Sequence, residues 1–124
     1  MHQNYVDVAK VVEEYFDGLY YSDTQRLGRV FHPNATYSCA TEGTLLHLDM
    51  PAYFAVVDKR PSPASRNEKR NDRIVSLEFA GPVTAFARLE CSIGPRFFND
   101  LLTFVFVDGR WQIIAKVFHY DLRE

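Results

Sequence analysis

The sequence predicts an α+β fold in which an antiparallel sheet carries helices on one face. The chain begins with an amphipathic helical pattern, because apolar side chains recur with spacings of four, three and four at Val8, Val12, Tyr15 and Leu19. It closes with a long hairpin, in which Asp108-Gly109 separates two runs rich in aromatic and β-branched residues. Between them, helical segments give way to strands joined by tight turns, an order typical of an antiparallel sheet covered by helices.

Size and composition indicate one domain over residues 1–124. A chain of 124 residues, 47% hydrophobic and 15% aromatic, can bury one core. The formal net charge of -2 provides no broad positive surface, so neither nucleic acid nor a membrane is an expected partner. There is no signal-peptide pattern and no apolar run of the roughly eighteen residues that a membrane span needs, which predicts a cytoplasmic location. Cys39 and Cys91 are then expected as reduced, buried thiols.

Three helices are expected in the first half of the chain. The first covers residues 4–21, and the segment Ser22-Asp23-Thr24-Gln25 supplies a cap for a second helix that continues to residue 30. Pro33 ends that helix, because the residue before a proline disfavours helical geometry. Asp49 is expected to cap a third helix with Pro51 in its first turn. The inner side of this helix contains Tyr53, Phe54 and Val57.

Strands are expected at residues 35–41, 45–48, 74–79, 83–93, 96–107 and 110–120. β-Branched and aromatic residues are frequent in these segments, and turns with glycine, proline or Asp-Gly separate them. Residues 58–73 are polar instead. Basic side chains such as Arg60 are intermixed with acidic ones, and no aromatic side chains lie between them. They are expected to form a solvated loop rather than a basic patch for nucleic acid.

Several motifs resemble those of the nuclear transport factor 2-like superfamily. At the level of the superfamily these are Phe31-His32-Pro33-Asn34-Ala35, the capped third helix and Asp108-Gly109-Arg110-Trp111 followed by Ile113. Four further segments are similar to the putative lumazine-binding branch: Tyr15-Phe16-Asp17-Gly18-Leu19-Tyr20, Arg60-Pro61-Ser62-Pro63, Asn99-Asp100-Leu101-Leu102 and Ala115-Lys116-Val117-Phe118. The resemblance implies a cystatin-like cone, a curved antiparallel or mixed sheet with three N-terminal helices on its concave face.

The superfamily includes ketosteroid isomerases, polyketide cyclases of the SnoaL type and scytalone dehydratase. These enzymes transfer protons inside the cone without a metal or organic cofactor, so the resemblance implies no cofactor. An ungapped alignment of the isomerases with residues 11–43 places Tyr15 where they keep the tyrosine that donates to the developing oxyanion. Cys39 occupies the position of the proton-transferring aspartate, and the second acid falls near Leu102, two residues from Asp100. A thiol replaces a carboxylate poorly at neutral pH, so a ketosteroid isomerase is not expected.

Strand parity groups charged residues with aromatic ones on one side of the sheet, and the resemblance to the isomerases implies that this side faces the inside of the cone. Taking residues of equal parity as neighbours puts Arg88 and Glu90 beside Asp100, and Asp100 beside Lys116. We expect Asp100 as the acid–base group and Tyr15 as the hydrogen-bond donor. The expected ligand-binding residues are Tyr37, Phe54, Arg88, Lys116 and Phe118. The alternative is that Asp100 with Lys116, and Arg88 with the neighbours of Glu90, form structural ion pairs.

These features predict a protein that binds a small hydrophobic or aromatic molecule, with no metal because no histidine or cysteine pair has ligand spacing. A cofactor-free isomerisation, cyclisation or dehydration of an aromatic or polycyclic compound is one hypothesis. A non-catalytic binding or dimeric interaction module is the other. An apolar open face of the sheet, which is rare in a monomer, predicts a homodimer. Its residues are Leu101, Val105, Val107, Ile113, Ala115, Val117 and the odd positions of the preceding strand.

Overall fold

The computed structural model describes residues 2–123. Helices α1 (His2–Tyr20) and α2 (Thr24–Val30) are followed by β1 (Phe31–Cys39), β2 (Leu46–Asp49) and α3 (Met50–Lys59). After a 3₁₀ turn at Ala64–Arg66, four long strands complete the chain: β3 (Arg73–Phe79), β4 (Thr84–Ile93), β5 (Arg96–Val107) and β6 (Arg110–Leu122). None of the helices in this described part is both long and apolar enough to cross a membrane.

The six strands form one curved, mixed sheet in the order β2-β1-β6-β5-β4-β3. β1 runs parallel to β6, and the other neighbours are antiparallel. The predicted hairpin is present: Asp108 and Gly109 have φ angles of 55° and 79°, the positive values that a tight primed turn requires. The α+β class with three helices on a curved mixed sheet is therefore confirmed.

Local side chains determine where the helices begin and how closely they approach. Asp23 caps α2 by accepting hydrogen bonds from the backbone N–H groups of residues 25 and 26, and the Asp49 carboxylate accepts from Ala52 N at 3.0 Å to cap α3. At the corner between α1 and α2, a Cβ on Gly18 would lie 2.6 Å from Leu27 Cδ2. Only glycine therefore allows this close approach.

The predicted orientation of β4 is wrong. A two-residue turn pairs Ile93 with Arg96, so each odd-numbered residue of β4 lies opposite an even-numbered residue of β5, as Leu89 does opposite Asp100. Directly paired residues of an antiparallel sheet face the same side. Arg88 consequently points to the outer face opposite Leu101 and is exposed. The odd-numbered residues, expected on the open face, are buried inside the cone instead: Ala85, Ala87, Leu89 and Cys91.

A β-bulge corrects the predicted place of Ile113. Thr103 pairs with Ala115, but the next residue, Phe104, pairs with Ile113, so Ile114 is the extra residue of β6. An extra residue in one strand changes which side chains face the core. Ile113 is therefore fully buried rather than on the open face. Three other residues of the predicted face are exposed to 40%, 37% and 49%: Leu101, Val107 and Val117.

Candidate functional site

Tyr15, Asp100 and Lys116 project from α1, β5 and β6 into the interior of the cone. Asp100 is completely buried and Lys116 is 4% exposed. The Tyr15 hydroxyl donates to Asp100 Oδ2 at 2.5 Å, a distance typical of a hydrogen bond to a charged acceptor. Asp100 Oδ1 is also buried, yet it has no hydrogen-bond partner among residues 2–123. One carboxylate oxygen is thus held in place, and the other is left for a ligand or water.

Lys116 lies in a cage of aromatic rings. Its ammonium nitrogen is between 5.1 and 5.3 Å from four ring centroids, those of Tyr15, Tyr37, Tyr53 and Phe118. It also donates to the Tyr53 hydroxyl at 3.3 Å. Each close cation–π contact contributes on the order of 1 kcal/mol, so the rings replace part of the hydration that Lys116 loses on burial.

The electrostatic environment keeps Lys116 charged and Tyr15 neutral. Burial alone would lower the pKa of Lys116, but the Tyr53 hydroxyl and the Asp100 carboxylate outweigh it and raise that pKa above its ordinary value. Burial, together with the charge of Asp100, raises the pKa of Tyr15 well above its usual range. Burial likewise raises the pKa of the Cys91 thiol. At neutral pH the site therefore combines the ammonium group of Lys116 with the neutral phenol of Tyr15.

A small cavity lies beside these groups and is called here the inner cavity. Its volume is about 10 Å³, enough for roughly one water molecule. It is lined by Leu19, Tyr37, Arg60, Cys91, Ile93, Phe98, Asp100 and Lys116. Arg60 Nε is buried and has no hydrogen-bond partner in the described part of the chain. The inner cavity therefore presents both an unsatisfied acceptor, on Asp100, and an unsatisfied donor.

A larger cavity adjoins it, called here the outer chamber, with a volume of about 230 Å³. Its lining comprises Tyr37, Cys39, Glu42, Thr44, Leu46, Arg96, Phe118 and Tyr120. Tyr37 lines both cavities, and its ring centroid lies 4.8 Å from that of Phe118. Phe98 in turn contacts both Phe118 and Tyr120, at centroid distances of 5.7 and 5.8 Å. These rings form a continuous aromatic wall between the outer chamber and Lys116.

Five of the seven predicted site residues come together here: Tyr15, Tyr37, Asp100, Lys116 and Phe118. Phe54 lines neither cavity and packs against Phe31 and Tyr53. Arg88 is on the opposite face of the sheet, so the prediction that it lines the pocket inside the cone beside Asp100 is wrong.

Two site residues were missed by sequence reasoning. The sequence places Tyr53 on the inner side of α3 but does not single it out as a site residue. Its position on that buried face of the helix is the signal that could have placed it near the cavity. Arg60 lies in a polar segment with no helical or strand periodicity, and the one signal for it is that it begins Arg60-Pro61-Ser62-Pro63, a segment similar to the family.

The ion pairs suggested as an alternative do not form as proposed. Within residues 2–123, no charged contact within 4.0 Å joins Asp100 to Lys116. Glu90 accepts from Arg73 Nε at 2.8 Å on the outer face. Cys39 and Cys91 are free and buried, as expected. The described residues contain no group of three or more metal-binding side chains.

The family described as "Putative lumazine-binding" matches residues 3–119. The chain belongs to this family. A relative, "Aldolase FrzH" from Cladobotryum sp., is 25% identical over 107 residues, which is 85% of this chain and 82% of the relative.

Solved structures of similar fold include two NTF2-like proteins of unknown function. The one from Shewanella baltica OS155 has a TM-score of 0.86 at 22% identity, covering 96% of this chain and 94% of that one. The one from Silicibacter pomeroyi DSS-3 has a TM-score of 0.81, also at 22% identity, covering 97% and 98% of the two chains. A third neighbour, from Burkholderia xenovorans LB400, is described as a cystatin-like fold protein and has a TM-score of 0.71 at 17% identity, over 96% of this chain and 92% of that chain. These likenesses support the nuclear transport factor 2-like fold.

Proposed function

We propose that this protein binds a small aromatic or polycyclic carbonyl compound inside the cone and catalyses the removal of a proton next to the carbonyl group, without a cofactor. The proposal rests on Asp100. A buried carboxylate with one oxygen held by Tyr15 and the other without a partner is costly for folding. Such a group is well placed to serve as a general base, because only its unpartnered oxygen needs to meet the substrate.

The proposed step uses three groups. Asp100 Oδ1 takes a proton from the carbon next to the carbonyl, the C–H electron pair forms a C=C bond to the carbonyl carbon, and the C=O π pair moves to the oxygen. The Lys116 ammonium stabilises the enolate oxygen that forms, and Tyr15 keeps the carboxylate oriented. Asp100 then returns the proton to another carbon in an isomerisation or to a departing hydroxyl group in a dehydration. In a cyclisation the enolate carbon attacks a second carbonyl group of the substrate, and Asp100 returns the proton to the alkoxide that forms. The same enolate therefore serves an isomerisation, a cyclisation or a dehydration.

The relative from Cladobotryum sp. supports this chemistry. Its name identifies it as an aldolase, and an aldol reaction also begins with loss of a proton next to a carbonyl group. We infer that the substrate occupies the outer chamber and places its carbonyl group against the inner cavity. Because the inner cavity holds only about one water, Tyr37 or Phe118 must rotate to admit that group.

The small inner cavity is also the observation that favours non-catalytic binding as a second candidate. In that case a flat ligand would stack on the aromatic wall of the outer chamber and never reach Asp100. Binding would then survive the loss of Asp100, and no proton would exchange.

Proton exchange in D₂O separates the two candidates. Aromatic ketones with enolisable C–H groups, such as 2-tetralone, are incubated with the protein and followed by NMR, while lumazine serves as a probe of binding alone. We expect wild-type protein to accelerate deuterium incorporation, and Asp100→Asn to slow it by about 100-fold or more. Asp121→Asn is the matched control, because this exposed carboxylate lies on β6 outside both cavities. Ligand binding without exchange would instead support the non-catalytic candidate.

We also propose that the protein is a homodimer through the outer face of β5 and β6. Exposed apolar side chains on that face support the proposal, among them Leu101 and Val117. Sedimentation velocity tests it directly. A single domain over residues 1–124, a cytoplasmic location and the lack of nucleic-acid binding stay predictions.

A further inference from the structure

The inner cavity has an unbalanced positive charge. Arg60 and Lys116 each bring one positive charge to its wall, whereas Asp100 brings one negative charge. Arg60 makes no side-chain hydrogen bond or ion pair with the described residues, and its Nε is buried. Lys116 also has no carboxylate within 4.0 Å in that part of the chain. One positive charge is therefore left without a counter-ion.

Arg60 is half-buried, so solvent screens part of its charge, but its buried Nε has no partner among the described residues and is free to donate to a bound group. Arg60 also holds five N–H donors in a planar fork that matches a carboxylate. Arg60 lies close to the proposed base Asp100, because both residues line a cavity of only about 10 Å³. Any anionic group bound by Arg60 must lie close to the carbon that loses its proton.

We propose that Arg60 is an anion-binding residue of this site and that the substrate is an aromatic keto acid. Its carboxylate binds the Arg60 guanidinium, its ketone oxygen faces Lys116, and its aromatic part lies in the outer chamber. This inference rests on the proposed function for the role of Asp100, but the anion preference concerns binding and can be measured separately. Arg96 lines only the outer chamber, where its guanidinium carbon lies 4.4 Å from the centroid of the Tyr120 ring.

The test compares phenylpyruvate with its neutral methyl ester by isothermal titration calorimetry. The two probes share the aromatic ring, the ketone and the enolisable carbon, and they differ in the negative charge. We expect wild-type protein to bind the acid about 10- to 100-fold more tightly than the ester. Arg60→Gln should remove this preference while leaving the affinity for the ester unchanged, and Arg60→Lys should retain part of it.

Lys59→Gln is the matched control, because it removes the same charge from the neighbouring, exposed residue. Melting curves check that each variant is folded. Equal affinity for acid and ester in the wild type, no binding of the acid, or an unchanged preference in Arg60→Gln would overturn the inference.

Deuterium exchange separates this inference from the proposed function. If the protein exchanges the ester but does not prefer the acid, the base function of Asp100 stands and the anion site does not. If it prefers the acid through Arg60 but exchanges neither probe, the anion site stands and the catalytic proposal fails.

Discussion

Replacing Asp100 with asparagine should abolish proton transfer while changing stability little. Asparagine has nearly the same shape, and its side-chain oxygen can still accept from Tyr15. It cannot act as a base at neutral pH. The substitution therefore removes the charge and leaves the packing of this fully buried position intact.

Opposing contributions determine how much Asp100→Asn changes the free energy of unfolding. The hydrogen bond from Tyr15 loses its charge assistance, which costs about 1 kcal/mol. Lys116 loses the attraction of a carboxylate that lies beyond 4.0 Å, which is worth at most about 4 kcal/mol at an effective dielectric constant near 20. Against these losses, removing a buried charge with one unpartnered oxygen recovers several kcal/mol of desolvation. We expect a net change within about 1 kcal/mol, or about 4 °C in Tm.

The assay measures Tm, probe affinity and deuterium exchange on the same protein, with Asp121→Asn as the control. Exchange should fall by about 100-fold or more, with Tm close to that of the wild type. A loss of about 12 °C or more with intact binding and exchange would refute the reasoning. That loss corresponds to roughly 3 kcal/mol, the cost of breaking a buried structural ion pair.

Three further predictions concern other parts of the chain. Gly18→Ala should lower the free energy of unfolding by about 1 kcal/mol, because the new methyl group would meet the buried Leu27, whereas Gly28→Ala, with its nearest contact at 3.9 Å, should not. Stabilisation from the charged Lys116 is complete below its unfolded pKa of about 10.4 and is lost only as the pH rises through the higher folded value. The stability difference between wild type and Lys116→Met should thus be constant from about pH 7 to about pH 9, as urea titrations can measure. Val117→Glu should convert the proposed homodimer to a monomer in sedimentation velocity.

Each of these three predictions would be contradicted by a different result. A Gly18→Ala protein as stable as the wild type would mean that α2 can move away from α1. A pH-dependent difference in the Lys116 comparison would indicate a neutral amine in the cage. A wild-type protein that sediments as a monomer at all concentrations would exclude the dimer.

Local sequence patterns were sufficient for the elements and for part of the site. The Asp108-Gly109 turn, the Asp49 cap and the helical phase of Tyr15 depend on residues close in sequence, and the structure confirms all three. Asp100 and Lys116 were also identified correctly as charged residues of the interior, because strand parity groups them with aromatic residues and the resemblance to the isomerases implies which parity faces inward. The sequence by itself thus determined the fold class and three central residues of the site.

Only the tertiary structure decided which neighbours these residues have. The two-residue turn after Ile93 places Leu89, and not Arg88, beside Asp100, and the bulge at Ile114 turns Ile113 inward. One residue more or less in a turn or strand reverses every side chain beyond it, because strand side chains alternate with a period of two. Arg60 shows the same limit for loops, since a polar side chain outside a periodic element has no predictable direction until the chain packs around it.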